Sequence, residues 1–572
     1  MDFRETNVDG AYNETYEWML SSEEYLAWKK CTGGRLLIKG KAGCGKSTLM
    51  KHLFQREIST STTGAAGDSH KPRPIICSFY FNGRGGPMEK SLEGMLRTIL
   101  HQNVSQNPTT YRYLSRFHDD MKKAQDSRNH KVDWTGETLT KMFDIMMRSC
   151  TLPQLIFIDA VDEGEGFKVA DTFSLLEKYT SLQPGEHHAA ASIFLSSRPD
   201  NFVNHRKEWT TIDLANFNSE DIKTYTINRL DSMARACAGA RYESLATELV
   251  SEILRKAEGV FLWVRLVVDE ITEAMERYED TDYIRSLLFT TPTNLWDRFG
   301  GILLRVEDRH RPNMKRLLQI VLAAQRPLSV EELIHAFRFS SPNPPRTLQE
   351  VWDVETAEQI REDMKRRLLL YCGGLVEVIK TSRLFVIRTS FDPGRKIEYE
   401  LTTQVQFIHQ SVKDYLNSKR IPEELFDIVG SSPLKDKGHE LLARASLQYL
   451  QLPELVERFY SGTKELSDWY GRMSKELKQN FWAQLPVSNP FLLYSPLWIK
   501  HADEAIENAN SNTSDGMSLK IMGVVFQTWK FFPHPYRTLY SHIYTNIEYN
   551  FKVPLSSLLV FSAHQGFAHL FR

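Results

Sequence analysis

The most specific chemical pattern in the sequence is an eight-residue run near its start, Gly40-Lys41-Ala42-Gly43-Cys44-Gly45-Lys46-Ser47. Glycines at this spacing let the backbone curl so that successive N–H groups point at phosphate oxygens. Lys46 is expected to reach the β and γ phosphates, and the Ser47 hydroxyl is expected to bind Mg²⁺. The pattern therefore predicts a site for a nucleoside triphosphate with Mg²⁺. The residues predicted to contact the nucleotide here are Gly40, Lys41, Ala42, Gly43, Cys44, Gly45, Lys46, Ser47 and Thr48.

The residues on either side of this run favour the local structure that a phosphate-binding loop needs. The apolar residues 35–38 before it favour a strand, and residues 48–53 after it favour a helix. A helix that begins at the loop adds its positive N-terminal end to the phosphate site. The alternative is a chance glycine-rich turn, which would not need a strand and a helix at these places.

A second candidate group follows an apolar strand pattern, in the run Leu155-Ile156-Phe157-Ile158-Asp159-Ala160-Val161-Asp162-Glu163. Asp159 is placed to hold Mg²⁺ through water at the carboxyl end of that strand. Asp162 or Glu163 could polarise the attacking water, since hydrolysis at such a site depends on positioning and charge stabilisation. The alternative is a strand that ends in an acidic, solvated turn.

A third strand pattern, residues 192–196, ends in Ser197-Arg198-Pro199. Arg198 is predicted to lie beside the γ phosphate and to sense its presence. An Arg at a strand end is by itself more often a surface salt-bridge residue, so this prediction depends on the two preceding motifs. Arg84, which follows the strand pattern at 75–81, is another candidate for the same rim.

The composition is that of an ordinary folded protein. The chain has 572 residues, enough for three or four domains, with 41% hydrophobic and 25% charged residues and a net charge of −1. This charge gives no reason to expect a nucleic acid or an anionic membrane as partner. No apolar run approaches the roughly 20 residues that span a bilayer, and the first residues lack the apolar region of a signal peptide. We therefore expect a soluble, cytoplasmic protein.

The six cysteines are scattered singly, without a Cys-x-x-Cys pair. This spacing argues for a reducing compartment and against a structural zinc site. Cys44 lies inside the glycine-rich run, where a helix N-terminus would lower its thiol pKa and make it redox-sensitive. The alternative, a small residue tolerated at a variable loop position, is the interpretation that we favour.

Beyond a last strand predicted at 211–214, the pattern changes to helices. Asn218 can cap a helix that runs through residue 229, with Asp221 in its first turn offsetting the free N–H groups. Residues 242–277 are periodic and apolar on one face, which predicts a helical lid on the nucleotide domain.

The next segment has the pattern of a winged helix. Helices are predicted at 314–324, from the capping box Ser329-Val330-Glu331-Glu332 onward, and near 357–371. Three β-rich runs follow, at 374–379, 384–389 and 399–407. A winged helix often binds DNA, but this segment has no net basic stripe, so protein packing is the better prediction.

The order of these parts resembles the fungal NACHT proteins of the STAND class of signal-transducing ATPases, whose nucleotide domain is often described as nephrocystin-like. The resemblance covers nearly the whole chain. Its early motifs fit many P-loop ATPases and are Thr15-Tyr16-Glu17-Trp18, the glycine-rich run continued through Leu49, Phe79-Tyr80-Phe81, Asp159-Ala160-Val161-Asp162-Glu163 and Ser196-Ser197-Arg198-Pro199. Its later motifs are more specific in this order and are Gly259-Val260-Phe261-Leu262-Trp263-Val264, Arg326-Pro327-Leu328, Phe407-Ile408-His409-Gln410-Ser411-Val412-Lys413-Asp414-Tyr415-Leu416, and Trp498 with His501-Ala502.

The resemblance implies a molecular switch that closes over ADP, opens on exchange for ATP and self-associates through its NACHT domain, with slow hydrolysis as the reset. It makes His409 the winged-helix residue that contacts the β phosphate in the closed state. A buried histidine bonded to the backbone at a helix start is the alternative. Related proteins often have a Gly-x-Pro turn against the adenine where this chain has Gly259-Val260-Phe261, so the base contact is undecided. ATP is preferred over GTP, both because the resemblance implies it and because no Asn-Lys-x-Asp guanine signature occurs.

We therefore expect an α/β P-loop NTPase core, with a parallel sheet and flanking helices, followed by a helical domain, a winged-helix-like domain and an α-helical C-terminal region. The expected boundaries are 1–33 for a lead-in, 34–215 for the NTPase core, 216–300 for the helical lid, 301–425 for the winged-helix-like domain, 426–552 for a helical connector and 553–572 for a segment that resembles the opening of an ankyrin repeat. The lead-in is too short for an effector domain, and half a repeat cannot bury its own apolar face. The chain thus resembles the central switch of a longer architecture, and the relatives imply a role in fungal non-self recognition.

Two other functions fit the same motifs. A binding scaffold could keep the phosphate-binding loop without hydrolysing the nucleotide, although intact Asp159, Asp162 and Glu163 argue against it. A P-loop kinase would share the loop and the strand acid but would need a substrate pocket and a short lid. The long helical stretch after Arg198 makes a kinase the least favoured of the three.

Overall fold

The computed structural model describes residues 5, 8–12, 14–30, 33–63, 73–125, 134–181, 191–199, 208–237, 240–351, 357–384, 399–418, 420–426, 434–450, 452, 454, 491 and 501. The chain divides into two compact units, Met1–Arg298 and Phe299–Arg572.

The described strands of the first unit form one parallel sheet. They are β1 (Arg35–Lys39), β2 (Ile75–Tyr80), β3 (Gln154–Asp159), β4 (Ala191–Ser197) and β5 (Thr210–Asp213). Their order is β2-β3-β4-β1-β5, and all neighbours are parallel. The five predicted strands are confirmed, with ends that differ by no more than one residue. Because parallel strands end at one edge of the sheet, the loop after β1 and the acidic turn after β3 open on the same side.

Side chains of the sheet alternate between two cores. In β1, Leu37 packs into one core while Leu36 and Ile38 pack into the other, and in β4 Leu195 and Phe194 divide in the same way. This alternation follows from the two-residue period of a strand. Burial on both faces explains why these strands read as continuous apolar runs.

Helices cover both faces of this sheet. The face of Leu36 is covered by α1 (Glu17–Ser21), α2 (Glu23–Lys30) and α3 (Lys46–Thr63). The face of Leu37 is covered by α4 (Leu92–Gln106), α5 (Pro108–Gln125), α6 (Gly136–Ser149) and α7 (Val169–Thr180). The first unit thus has the α/β P-loop NTPase fold that the sequence predicts.

A helical layer completes the first unit. It consists of α8 (Ser219–Cys237), α9 (Ala240–Ala257), α10 (Phe261–Glu276) and α11 (Thr281–Thr290), and α12 (Leu295–Leu304) contains the boundary between the units. The predicted lid segment 242–277 is interrupted between α9 and α10, where Glu258 and Gly259 have φ of 44° and 76°. The apolar faces of α8 to α11 share a core of their own, separate from the two cores of the sheet.

The second unit combines helices with a small antiparallel sheet. Its described elements are α13 (Arg311–Ala323), β6 (Leu328–Ser329), α14 (Val330–Phe339), α15 (Ala357–Cys372), β7 (Val376–Leu384), β8 (Tyr399–Phe407), α16 (Gln410–Leu416), α17 (Glu423–Phe426) and α18 (Leu434–Leu450). The sheet order is β6-β8-β7, and the pairs are antiparallel. The succession of α13, β6, α14, α15, β7 and β8 is that of a winged-helix-like domain.

The capping box at the start of α14 is confirmed. The Ser329 hydroxyl accepts from the Glu332 N–H at 3.1 Å, and the Glu332 carboxylate accepts from the Ser329 N–H at 2.9 Å. Arg326 donates to both carboxylate oxygens of the buried Glu332, at 2.6 and 2.7 Å. The motif Arg326-Pro327-Leu328 thus fixes the entry to α14 by charge-assisted hydrogen bonds.

The prediction of three strands after the third helix of this unit was wrong in its detail. The pairing of β7 with β8 is continuous from Val376 to Leu384, so the first two predicted runs are not separate at Leu384. The four polar residues 380–383 separate the two runs in the sequence, yet their backbone pairs with residues 400–403 of β8. The third strand of the sheet is β6, which pairs with β8 at Leu328. Residues 385–389 lie outside the described chain.

Other predictions concern residues that the structure does not describe. Trp498, Ala502, the ankyrin-like segment 553–572 and most of the connector 426–552 are among them. Among the described helices, none combines the length and the apolar character needed to cross a bilayer.

Candidate functional site

The loop between β1 and α3 has the backbone conformation that its glycines predict. Gly43 and Gly45 have φ of 79° and 101°, in the region that residues with a Cβ disfavour. A Cβ at Gly43 would lie 2.8 Å from the Cβ of Leu262, and one at Gly45 would collide with the Tyr16 hydroxyl. Glycine is needed at both positions, for its conformation and for lack of space.

Hydrogen bonds from outside the loop hold its carbonyl groups. The Leu262 N–H donates to Gly43 O at 2.9 Å, and the Asn218 side-chain amide donates to Cys44 O at 3.0 Å. The Tyr16 hydroxyl donates to Gly45 O at 3.3 Å. In a trans peptide the next N–H points opposite to the carbonyl, and no described peptide bond is cis. The N–H groups of Gly45 and Lys46 therefore point to the inner side of the loop, where an anion would lie.

The Lys46 side chain lies across this loop. Its ammonium donates to Gly40 O at 2.6 Å and to Lys41 O at 3.0 Å. Its charge also lowers the pKa of Asp162, so the lysine and the acidic turn after β3 are close in space. Ser47 and Thr48 follow in the first turn of α3.

Asp159 ends β3 as a fully buried carboxylate. Its Oδ1 accepts from the Ser196 hydroxyl at 2.5 Å, and that hydroxyl accepts from the Ala160 N–H at 2.8 Å. Ala160 has a φ of 51°, an unfavourable backbone conformation that its surroundings must hold. One serine of β4 thus fixes both the Asp159 carboxylate and the start of the acidic turn.

Asp162 and Arg198 form an ion pair at the same edge of the sheet. The Arg198 Nε lies 3.2 Å from Asp162 Oδ2, and the Arg198 N–H donates to Asp162 Oδ1 at 3.0 Å. Burial raises the pKa of Asp162 and the charge of Glu163 raises it further, whereas Arg198 and Lys46 lower it. The structure therefore brings together three predicted site residues, Lys46, Asp162 and Arg198.

Glu163 points to a different loop. Its Oε2 accepts from the Gly83 N–H at 2.9 Å, in the loop that follows β2. Arg84, the other candidate for the rim of the phosphate site, follows Gly83 directly in the sequence. Glu163 connects the acidic turn to the end of β2.

The Ser47 hydroxyl and the Asp159 carboxylate stay the predicted ligands of a magnesium ion at this edge of the sheet. Across the described residues, no group of three or more His, Cys, Asp or Glu side chains is arranged to hold a metal. The predicted pair, the Ser47 hydroxyl and the Asp159 carboxylate, supplies oxygen ligands of the kind that Mg²⁺ prefers, and phosphates and water usually complete such a site.

Cys44 is buried, with 0% of its surface exposed. Burial raises the pKa of its thiol, even though the Lys46 charge and backbone N–H groups act in the opposite direction. The lowered pKa considered from the sequence was therefore wrong, because loss of water outweighs the helix terminus. The structure favours the other interpretation, a small residue within a packed loop.

His409 immediately precedes α16 and caps it. Its Nδ1 accepts from the Ser411 N–H at 3.1 Å, with the Ser411 hydroxyl 2.8 Å away. This bonding agrees with the alternative of a histidine bonded to the backbone at a helix start, although His409 is half-buried rather than buried. Its contact with a phosphate stays a prediction.

Two residues were assigned other roles from the sequence. Asn218, predicted to cap α8, turns its side-chain amide to Cys44 O and to Gly259 O, at 3.0 and 2.8 Å. Asp221, predicted to offset the first N–H groups of α8, accepts from the Tyr16 N–H at 2.9 Å. Its other oxygen accepts from the Trp18 indole at 2.9 Å. Local sequence patterns predict only a helix start here, because the residues that these two side chains contact are distant in the sequence.

Two family models match the sequence, one within each of the two compact units. The family model described as Nephrocystin 3, N-terminal, matches residues 14–198, which contain β1 to β4 and the loop. A second model, Domain of unknown function (DUF7791), matches residues 305–432, which contain the winged-helix-like elements. No curated protein sequence matches the chain.

Three archaeal proteins of known structure are similar over much of the chain. The ORC1 protein of Aeropyrum pernix, solved in complex with DNA, is 14% identical, with 73% of this chain and 95% of that chain covered and a TM-score of 0.29. The ORC2 protein of Aeropyrum pernix, solved as ADPNP-ADP complexes, is 13% identical, with 71% and 93% covered and a TM-score of 0.32. Cdc6p of Pyrobaculum aerophilum is 10% identical, with 74% and 99% covered and a TM-score of 0.32. These identities and TM-scores are too low to transfer a function.

Proposed function

We propose that the chain is a nucleotide-dependent molecular switch that binds ATP and ADP with Mg²⁺ and slowly hydrolyses ATP. The observation that carries the proposal is the orientation of the loop at residues 40–47. The outward carbonyl groups of Cys44 and Gly45 are bonded to Asn218 and Tyr16, and in each of these peptides the following N–H, of Gly45 or of Lys46, points inward. Inward N–H groups at a helix start are an anion site, and Lys46 adds a positive charge.

The residues at the loop and at β3 fit a magnesium ion. Ser47 would bind the ion directly, and Asp159 would hold it through water. When bound, Mg²⁺ would neutralise part of the charge on the phosphates. The bond from Ser196 holds Asp159 in one orientation, at 2.5 Å, so the carboxylate would not have to reorganise when the ion binds.

Slow hydrolysis is consistent with the bonding of the candidate catalytic residues. Asp162 or Glu163 would orient the attacking water, and Arg198 would stabilise the charge on the γ phosphate. Asp162 is paired with Arg198, and Glu163 accepts from the Gly83 N–H. The ion pair and the backbone hydrogen bond hold part of the acceptor capacity of these carboxylates, which favours a slow reaction and a long-lived bound state.

The switch function extends the proposal beyond the site. The resemblance to NACHT proteins supports self-association through the nucleotide domain, a contact from His409 to the β phosphate of ADP, and signalling in fungal non-self recognition. Protein packing is the proposed role of the winged-helix-like domain. Arg361, Lys365 and Arg367 of α15 are paired with carboxylates at 2.5 to 2.8 Å, which leaves little unbalanced positive charge for DNA.

A scaffold that binds nucleotide without hydrolysing it is the second candidate. It is favoured by the same observation, that Asp162 and Glu163 both accept hydrogen bonds from backbone N–H groups of other loops. In that case the loop would serve only to hold ADP or ATP and to stabilise the fold.

The test is to identify the nucleotide that the purified full chain carries. The protein is denatured, the released ligand is separated by ion-exchange chromatography, and light scattering gives the mass of the native sample. Stoichiometric ADP on a monomer, with assembly after exchange for ATP, supports the switch. Retained ATP without turnover supports the scaffold, and a chain that binds no nucleotide contradicts both. H409A should weaken ADP more than ATP if His409 contacts the β phosphate, and equal losses would make it a packing residue.

A further inference from the structure

Asn218 joins two parts of the first unit that are far apart in the chain. It lies directly before α8 and is fully buried. Its single side-chain amide donates to Cys44 O at 3.0 Å and to Gly259 O at 2.8 Å. The first carbonyl belongs to the phosphate-binding loop, and the second belongs to the break between α9 and α10. One hydrogen of this NH₂ group therefore bonds to the loop, and the other bonds to the helical layer.

A second contact joins the same two parts. The Leu262 N–H, in the first turn of α10, donates to Gly43 O at 2.9 Å. The space between them is closed, since a Cβ at Gly43 would lie 2.8 Å from the Cβ of Leu262. The start of α10 thus lies directly on the outer side of the loop, next to the Asn218 bonds.

Helix capping does not explain this asparagine. In an N-cap the side-chain oxygen accepts from an N–H of the first turn. In the described part of the chain, no group donates to Asn218 Oδ1, although this atom is buried. The backbone oxygen of Asn218 accepts from the Ile222 N–H at 2.9 Å, as in any helix start. The side chain therefore acts on the loop and on Gly259 rather than on α8.

The bond to Cys44 O controls one peptide plane. Rotation of the peptide between Cys44 and Gly45 would exchange the directions of its carbonyl and its N–H. Gly45 can adopt either orientation, because glycine tolerates both signs of φ. The Asn218 amide holds the carbonyl outward, so the Gly45 N–H stays on the side where the phosphate would bind.

We propose that Asn218 is a positioning residue that couples nucleotide binding at the phosphate-binding loop to the position of α10. This inference rests on the proposed function, because it assigns a regulator to the same site. Nucleotide binding favours the inward Gly45 N–H, the Asn218 amide favours the matching outward carbonyl, and the same amide holds Gly259 against the loop. By linkage, a movement of α10 that breaks the Gly259 bond weakens nucleotide binding, and nucleotide binding resists that movement.

The test uses N218D in the full chain, since this change keeps the shape of the side chain and removes both donors. N216D is the matched control, because Asn216 is an exposed asparagine two residues earlier. N218D should bind ADP at least about 10-fold more weakly than wild type, as expected for two lost buried hydrogen bonds. N216D should bind ADP like wild type. Equal ADP affinity in N218D and wild type would overturn the proposal.

Hydrogen exchange tests the coupling itself. In wild type, ADP should slow amide exchange both in residues 40–47 and in residues 259–264. In N218D, saturating ADP should slow exchange in 40–47 but no longer in 259–264. Slowing of both segments in N218D would mean that Asn218 only stabilises the fold, and the proposal would be wrong.

The pH dependence separates positioning from a general loss of structure. At low pH the carboxyl introduced by N218D regains one O–H donor, so the ADP affinity of N218D should approach that of wild type as pH falls. N218A cannot regain a donor and should show no such recovery. N218A also replaces N218D if a buried carboxyl prevents folding, and an N218A that binds ADP like wild type contradicts the proposal.

The failure of this inference differs from the failure of the proposed function. If wild type binds no nucleotide, the proposed function is wrong. The coupling between the loop and α10 is then tested by hydrogen exchange without ligand. N218D should then raise exchange in 40–47 and in 259–264 together, whereas a change confined to one segment would overturn the coupling.

Discussion

The Ser196 hydroxyl donates to Asp159 Oδ1 at 2.5 Å and accepts from the Ala160 N–H at 2.8 Å. Ser196, two residues before Arg198 in the same motif, therefore orients the carboxylate proposed to hold Mg²⁺. Both partners are buried, so loss of the hydroxyl would leave two polar groups without compensation from water.

S196A should raise the Mg²⁺ concentration needed for ATP hydrolysis by roughly 10-fold, as for other residues that orient a metal ligand. Nucleotide binding in EDTA should change little, because the phosphate-binding loop is untouched. S196T, which keeps a hydroxyl, should restore part of the effect. The measurement is turnover against Mg²⁺ concentration for the two variants and for S197A as a neighbouring control. An unchanged Mg²⁺ requirement in S196A would contradict this role.

R198A should lower ATP turnover at least 10-fold while ADP affinity stays near that of wild type, because the proposed contact is made to the γ phosphate. The same change removes a positive charge that lowers the pKa of Asp162. Any step that needs ionised Asp162 should therefore shift to higher pH. R198K keeps the charge without the planar fork and should lie between the two. Turnover followed across pH tests both effects, and an R198A profile identical to that of wild type would reject the assignment.

The sheet and its site edge could be predicted from the sequence because they depend on local patterns. Buried strands with apolar residues on both faces, a glycine-rich loop and an acid after Ile158 are each visible within ten residues. The same holds for the capping box at Ser329, where donor and acceptor are three residues apart.

The groups that hold the loop could not be predicted in this way. Tyr16, Asn218 and Leu262 contact the loop through single atoms from distant parts of the chain. Asn218 and Asp221 look like ordinary helix-start residues, and only the fold shows that their side chains turn elsewhere. The prediction of a lowered thiol pKa at Cys44 was wrong for a related reason, since a rule about helix ends does not include burial.

Cys44 should resist alkylation in the native protein. It is buried, and burial raises the pKa of its thiol, so little thiolate is present at neutral pH. Mass spectrometry after iodoacetamide treatment at pH 7.5 should find Cys44 modified far more slowly in native than in urea-unfolded protein. Rapid modification of the native chain would restore the idea of a redox-sensitive thiol.

Mild acid should destabilise the second unit through His335. Burial lowers the pKa of this residue to about 4, from an ordinary value of 6.5. Below pH 6.5 the unfolded chain binds a proton at His335 that the folded chain does not bind. The free energy of unfolding therefore decreases as pH falls from 6.5 toward 4. The loss amounts to roughly 3 kcal/mol at most. Chemical unfolding at pH steps should show a flatter decline for H335Q than for wild type, and identical declines would exclude His335 as the cause.

The most direct test of the nucleotide site is calorimetric titration of nucleotide-free full chain with ATP and Mg²⁺, for wild type and for K46A. Wild type should bind one nucleotide per chain, and K46A should bind roughly 100-fold more weakly, because charge-assisted contacts to two phosphates are lost. K141A is the matched control, since Lys141 is an exposed lysine paired with Glu137 on α6, and it should bind like wild type. Equal affinities in K46A and wild type, or no binding by wild type, would contradict the assignment of the loop.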